Sequence, residues 1–318
     1  MPSEFALIAR HFVRPTDHSE LGIGDDAALI RARPGMELAI STDMLVSGTH
    51  FLPGTDAHLL GWKTAAVNLS DIAAMGGEPR WITLALALPE ADEAWVAALA
   101  DGFFECCQHF GVDWIGGDTT RGPLNLCATV FGEIPQGLAI RRSGAVAGDD
   151  LWISGTPGLA VLGLEALFGH LELAPEWQRT CLAALERPQP RIALGRALRG
   201  HAHAMLDVSD GLAGDLGHIL ESSGVGGTLD QAALPLAGPL AACGDAALAL
   251  EKVLYGGDDY ELIFAAPPAE RAFLMQLAAE LALPLHRIGV CETSPGLRLA
   301  MSDASLRPLR PKGFDHFA

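Results

Sequence analysis

The sequence predicts a two-domain α/β protein, and three observations carry that reading. Short apolar runs alternate with longer segments whose apolar residues recur at helical spacing. Glycine-led acidic turns sit where those runs end or where helices begin. A stretch rich in Gly, Arg and Ala, from Pro135 to Asp150, divides the chain near its middle, which gives an expected first domain over 1–138 and a second over 149–318. With 318 residues, 49% of them hydrophobic, the chain can bury two cores, although the length also allows one large α/β domain.

Taken in order, Ser3 is placed to cap a short helix reaching about Phe12. Gly22-Ile-Gly-Asp-Asp26 leads into the run 27–30, and 37–41 reads as a strand ending at Thr42 and Asp43. From Ala57 to Met75 the residues Leu59, Leu60, Ala66, Val67, Leu69, Ile72, Ala73 and Met75 recur at helical spacing, and Gly76-Gly77 ends that helix. The run 81–88 is a buried strand stopped by Pro89, 93–110 is helical, and 112–115 is a brief strand that delivers Asp118 at its C-terminal end. A longer strand spans 124–133.

The second half opens with a strand at 151–154, followed by helices at 159–168 and 176–185. Arg187-Pro-Gln-Pro breaks the pattern before another helix to about Leu198. A strand at 204–208 delivers Asp207 and Ser209, and Asp210 begins a helix whose amides can face an anion. A strand at 260–264, a helix at 269–281, a strand at 286–290 and an aromatic-basic tail over 312–317 complete the chain. Acids at strand ends fit a ligand site beyond the carboxyl edge of a sheet.

The formal net charge of −18, from 39 acids against 21 Lys and Arg, argues against a nucleic-acid backbone as partner. Solubility alone could account for most of that excess, but part of it lies in the glycine-acid turns, where bound cations would lower the effective charge. The six cysteines form no Cys-x-x-Cys pair, so neither a zinc knuckle nor a disulfide scaffold is indicated. No basic segment precedes an apolar run at the start, and no apolar stretch approaches the ~18 residues of a membrane span. The expectation is a soluble cytoplasmic protein with no membrane or nucleic-acid partner.

Asp71 is the residue that asks for chemistry. It stands amid Leu69, Ile72 and Ala73, where a charge costs several kcal/mol unless a cation meets it. The plainer alternative puts it on a solvated stripe with Lys63. Repetition favours the first reading: Ser-Asp returns in Asp207-Val-Ser-Asp-Gly-Leu212, with an apolar helix start after it in both places, and acids recur in Ser41-Thr-Asp43, Gly116-Gly-Asp118 and Gly256-Gly-Asp-Asp259.

Two like charges about 5 Å apart repel by roughly 3 kcal/mol at an effective dielectric near 20, so converging acids need cations. Hard oxygen donors without His or Cys point to magnesium shared with substrate phosphates, and so to phosphoryl transfer by alignment and charge neutralisation. Neither a P-loop nor a Rossmann fingerprint is present, so ATP would be held by another route. Some residues keep two readings. His201-Ala-His203 is a metal site or a surface loop, His50 a ligand contact or a cap, and Arg141-Arg142 a phosphate clamp or a solvated linker. The acidic turns could also be structural cation sites in a non-catalytic binding protein.

The segments Gly22–Ala28, Ser41–Phe51, Val67–Gly76, Gly116–Gly122, Asp207–Leu212 and Gly256–Leu262, with the Phe314-Asp-His-Phe tail, together resemble the thiamine-monophosphate kinase family. The resemblance covers nearly the whole chain. It implies the fold shared with aminoimidazole ribonucleotide synthetase: an N-terminal α/β domain whose sheet pairs into a barrel across a homodimer, and a C-terminal α/β domain closing over the nucleotide. It also implies conversion of ATP and thiamine monophosphate into ADP and thiamine diphosphate.

By matching position, the resemblance implies magnesium ligands at Asp26, Ser41, Thr42, Asp43, Asp71, Asp118, Asp207 and Asp210. It implies ATP contacts at Gly117, Asp118, Arg142 and Ser209, and thiamine-phosphate contacts at His50, Asp258 and Phe314. Asp43, Asp71, Asp118 and Arg142 would then serve the transfer itself. One departure stands out: the family usually reads Gly-Gly-Glu-Asp-Tyr-Glu-Leu, and Asp258 occupies the Glu place one methylene short, a gap that a bridging water can span. Sister activities are aminoimidazole ribonucleotide synthetase, selenophosphate synthetase and the hydrogenase-maturation dehydratase. The lack of an N-terminal reactive Cys and of a C-terminal Cys tail counts against the last two.

Overall fold

The structure is a computed structural model that describes residues 4–311 and 313. The chain divides into two units, one running to Ile72 and continuing over Gly77–Gly137, the other made of Ala73–Gly76 and the chain from Leu138 onward.

The first unit opens with α1 (Glu4–Leu7), which runs into a π-helical turn at Ile8–Phe12. An antiparallel ribbon of β1 (Ser19–Leu21) and β2 (Leu29–Ile30) brackets the first acidic turn. The main sheet holds β3 (Met36–Val46), β4 (Glu78–Leu88), β5 (Asp113–Arg121) and β6 (Asn125–Pro135) in the order β3-β6-β4-β5. Only β4 and β5 run parallel.

Strand alternation sorts the side chains of this sheet. Ile82, Leu84, Leu86, Leu126, Ala128 and Val130 are buried on the face that carries the helices. Those helices are α2 (Ala57–Ala74), whose Ile72 lies against Gly132 of β6, and α3 (Glu93–Phe110), whose Phe103 and Phe104 pack on Trp114 of β5 at 4.6 and 4.8 Å. The opposite face leaves Leu38, Ile40 and Met44 of β3 at 45%, 60% and 52% exposure, and the sheet stays open.

Two expectations change here. The strands expected at 37–41 and 112–115 do not stop short of their acids. Pairing of β3 with β6 is unbroken from Met36 to Val46, and β5 runs to Arg121, so Thr42, Asp43 and Asp118 ride within strands. Because most neighbours are antiparallel, there is no shared carboxyl edge for the acids to cross. The solvated stripe also fails: Lys63 is only 5% exposed, and Thr64, Asn68 and Ser70 are fully buried, so α2 is enclosed nearly all round.

The second unit is built on β7 (Asp150–Ser154), α4 (Leu159–Leu167), α5 (Pro175–Glu186), α6 (Ile192–Ala197), β8 (Ala204–Val208), α7 (Leu212–Ser223) and β9 (Gly226–Asp230). It continues with α8 (Pro239–Ala242), α9 (Ala246–Tyr255), β10 (Glu261–Ala266), α10 (Arg271–Glu280), β11 (Leu285–Glu292), β12 (Gly296–Ala300) and β13 (Leu306–Leu309). The sheet order is β13-β12-β9-β11-β7-β10-β8, with only β12 and β9 parallel.

Helices cover both faces of this sheet. Leu151, Ile153, Leu206, Val208, Ile263 and Ala265 share a core with Leu212, Leu216 and Ile219 of α7 and Val253 of α9. Trp152, Met205, Leu262 and Phe264 share another with Leu194 of α6 and Leu274 of α10. The repeated Ser-Asp string therefore occupies unlike places: Asp71 lies inside α2, while Asp210 precedes α7, which starts two residues later than expected because Gly211 takes a φ of 113°.

Candidate active site

In the first unit β3 and α2 present the acids jointly. The Ser41 hydroxyl donates to Asp71 Oδ2 at 2.5 Å. Asp43 lies two residues on along the strand, hence on the same side as Ser41. Its backbone N–H donates to Asn68 Oδ1 at 3.0 Å, and the Asn68 amide donates to the Thr64 carbonyl at 2.9 Å. Polar groups that would be unfavourable inside α2 are thus satisfied by tying helix to strand. Ser41, Asp43 and Asp71 are brought together.

The other candidates of this unit are placed separately. Thr42 alternates to the opposite face, where its hydroxyl meets that of Thr129 at 2.9 Å. Asp118 is exposed on β5 opposite Ala85 of β4. The preceding Gly117 has a φ of 151°, and a Cβ there would sit 1.8 Å from the Leu84 carbonyl oxygen, so only glycine lets β5 approach β4 this closely just before the acid. Asp26 is exposed between β1 and β2, with its N–H on the Asp25 carboxylate at 2.8 Å. His50 Nδ1 accepts the Val46 N–H at 3.0 Å, which leaves the ring proton on Nε2.

In the second unit the candidates gather at one turn. Asp207 is 5% exposed near the end of β8, opposite Leu262, and by alternation faces away from α7. Ser209 and Asp210 follow, and both backbone N–H groups donate to Asp215 Oδ2 at 3.1 Å. Asp215 is buried in the first turn of α7. Burial first, and then the Asp210 charge, push its carboxyl up to about 7, opposed by the two N–H bonds and by the Arg142 charge. The Arg142 backbone is anchored through Ser223, whose hydroxyl donates to the Arg142 carbonyl at 3.3 Å.

The Gly256–Tyr260 turn hangs on the same segment. The Asp258 N–H donates to the Ser209 carbonyl and the Tyr260 N–H to the Val208 carbonyl, both at 2.8 Å. A Cβ at Gly257 would lie 2.6 Å from the Ser209 carbonyl oxygen, which accounts for the glycine there. Asp259 accepts the Gly158 N–H at 2.9 and 2.8 Å, and its burial pushes its carboxyl well above the usual range. Glu261 is buried and takes Arg191 at 2.8 and 2.5 Å together with the Ser154 hydroxyl at 2.5 Å.

Sequence reasoning passed over Asn68, Asp215, Asp259 and Glu261. Each stands in or beside a motif it had singled out, but adjacency along the chain does not tell which polar group of a cluster turns inward. Phe314 lies outside the described residues. His201 and His203 serve different carboxylates, Glu270 at 2.7 Å and Asp149 at 2.9 Å, and share no site. Among the described residues no three His, Cys, Asp or Glu side chains form a ready-made metal cluster, and no helix is long and apolar enough to cross a membrane.

Comparison with known proteins gives this geometry its context. The N-terminal domain of the AIR synthase related proteins matches residues 24–134, and the C-terminal domain matches 146–302. Thiamine-monophosphate kinase of Escherichia coli strain K12 is 44% identical over 319 residues, covering 99% of this chain and 98% of its own. The crystal structure of thiamine-monophosphate kinase from Stenotrophomonas maltophilia K279a aligns with a TM-score of 0.85 at 46% identity, over 92% of this chain and 94% of that one. A structure of AaThiL complexed with AMPPCP and TMP aligns with a TM-score of 0.79 at 30% identity, over 93% and 92%. With likeness of this degree over nearly its full length, the chain belongs to the thiamine-monophosphate kinase family.

Proposed function

We propose that this chain transfers the γ-phosphoryl group of ATP to thiamine monophosphate, giving ADP and thiamine diphosphate. The observation that carries the reading is the tying of β3 to α2 by the Ser41 hydroxyl on Asp71 and the Asp43 N–H on Asn68, at motif positions of a kinase family. The complex of AaThiL with AMPPCP and TMP supports the pair of substrates.

Asp26, Ser41, Thr42, Asp43, Asp71, Asp118, Asp207 and Asp210 would hold magnesium. The fit rests on donor chemistry, since all eight offer hard oxygen atoms, with the Thr42 hydroxyl on the sheet face opposite Ser41 and Asp43. Bound magnesium supplies charge neutralisation between the two phosphate-bearing substrates. Gly117, Asp118, Arg142 and Ser209 contact ATP, with Arg142 meeting its oxygens. His50, Asp258 and Phe314 contact thiamine monophosphate.

The acceptor is a phosphate monoester with a second pKa near 6, so its attacking oxygen is mostly deprotonated at neutral pH and needs no dedicated general base. Transfer is direct and in line: the bond to the acceptor oxygen forms as the bond to the β–γ bridging oxygen breaks, and ADP leaves without a phosphoenzyme. The first domain, over 1–138, carries most of the metal and nucleotide residues. Its open sheet face, with Leu38, Ile40 and Met44 exposed, pairs with a second copy into a barrel. The second domain, over 149–318, closes on the nucleotide, and the enzyme works in the cytoplasm.

The test is ADP release followed with each substrate omitted in turn. The reading requires release that depends on thiamine monophosphate. ADP release indifferent to thiamine monophosphate, or none at all, contradicts it.

A further inference from the structure

We propose that Tyr260 is a positioning residue for the phosphate acceptor, its hydroxyl holding Asp258 in the orientation that meets thiamine monophosphate. The inference rests on the function proposed above and adds a residue that no motif match assigns. The Tyr260 hydroxyl donates to Asp258 Oδ1 at 3.1 Å. In an extended strand, side chains two residues apart stand well beyond hydrogen-bond reach along one face. Here both residues adopt left-handed backbone, φ 66° at Asp258 and φ 52° at Tyr260, and this coils the segment so that the ring returns to the carboxylate.

Aspartate tolerates that region, whereas a bulky aromatic residue seldom occupies it. Such conformations persist where surrounding contacts over-determine them, and they cluster at functional sites. Both residues are fixed from behind by their N–H bonds to the Ser209 and Val208 carbonyls, so the turn that presents the acceptor contact is hung on the segment that presents the nucleotide contact. The bond from the Tyr260 hydroxyl sets the rotamer of the Asp258 carboxylate.

Tyr260→Phe removes only the hydroxyl and keeps the ring. Steady-state kinetics are measured for wild type, Tyr260→Phe, Asp258→Ala and the double variant, varying each substrate at saturating levels of the other. Tyr260→Phe should raise KM for thiamine monophosphate about five- to tenfold, the loss expected for one typical side-chain hydrogen bond. KM for ATP and Tm should stay at wild-type values, and in the Asp258→Ala background the substitution should add nothing. Additive effects of the two substitutions, equal rises in both KM values, or an unchanged KM for thiamine monophosphate overturn the inference. Wild-type turnover in the same series separates the two claims. Wild type that makes no thiamine diphosphate overturns the proposed function and this inference with it, while normal wild-type turnover with an indifferent Tyr260→Phe overturns this inference alone.

Discussion

The two Ser-Asp sites of this chain present carboxylates in opposite ways. In the first unit, Asp71 projects from the interior of a regular helix, and the group that orients it, the Ser41 hydroxyl, comes from a neighbouring strand. In the second, Asp210 sits on an irregular turn, and its backbone is oriented by another acid, Asp215, buried in the helix that follows. A regular element gives its side chains fixed directions, so the first site needs only cross-links between helix and strand. A turn has no such inherent direction, and the second unit supplies it with inward-facing carboxylates: Asp215 under Ser209 and Asp210, Asp259 at Gly158, and Glu261 against Arg191. Acids thus serve inward as acceptors, Asp215 and Asp259 of backbone N–H groups and Glu261 of the Arg191 guanidinium and the Ser154 hydroxyl.

That division can be broken or sharpened by substitution. Asp71→Asn keeps the shape but removes the charge, and should lower kcat by roughly 100-fold or more with little change in Tm; near-normal turnover would reduce Asp71 to a structural group. Asp215→Ala should act in the reverse sense, first on stability. It strips the acceptor from two N–H groups at about 1–3 kcal/mol for each, visible as a clear fall in Tm by calorimetry; an unchanged Tm would mean the turn holds itself. Ser41→Ala removes one hydroxyl donor and should reduce kcat about fivefold, the kinetic equivalent of ~1 kcal/mol.

The smallest effect concerns pH. The Asp259 carboxyl is raised in the folded protein by burial. Below its unfolded value the folded state gains nothing from ionisation and keeps its full stability. As pH rises from about 4 towards the raised folded value, the unfolded chain ionises more readily, and this stability contribution is lost. Asp259→Asn cannot ionise. Between pH 5 and pH 8 wild type should therefore lose more Tm than the variant, and parallel Tm profiles would remove Asp259 from the inward class.

Much of this arrangement is legible in the sequence where local pattern and tertiary outcome agree. The α2 helix and the buried strand β4 follow from periodicity and apolar runs. The acidic motifs hold residues that the structure ties together, Ser41 with Asp71 and Asp258 with Ser209. The short, glycine-containing strands β9 and β12 escape because five residues with little β-branching give no alternation to read, and they form only by pairing with each other and with distant partners. The strands holding Asp43 and Asp118 run longer than expected because polar residues are tolerated on a half-covered sheet. The roles of Asn68 and Asp215 depend on which side chain turns inward, a property of the folded contacts and not of the string.

The most direct test of the account is phosphorus NMR of the purified protein with ATP, magnesium and thiamine monophosphate. Growth of the thiamine diphosphate and ADP signals, and their absence when magnesium is withheld, is the predicted result. ATP that stays intact in the complete mixture, or is hydrolysed to ADP and inorganic phosphate with thiamine monophosphate left unchanged, would contradict it.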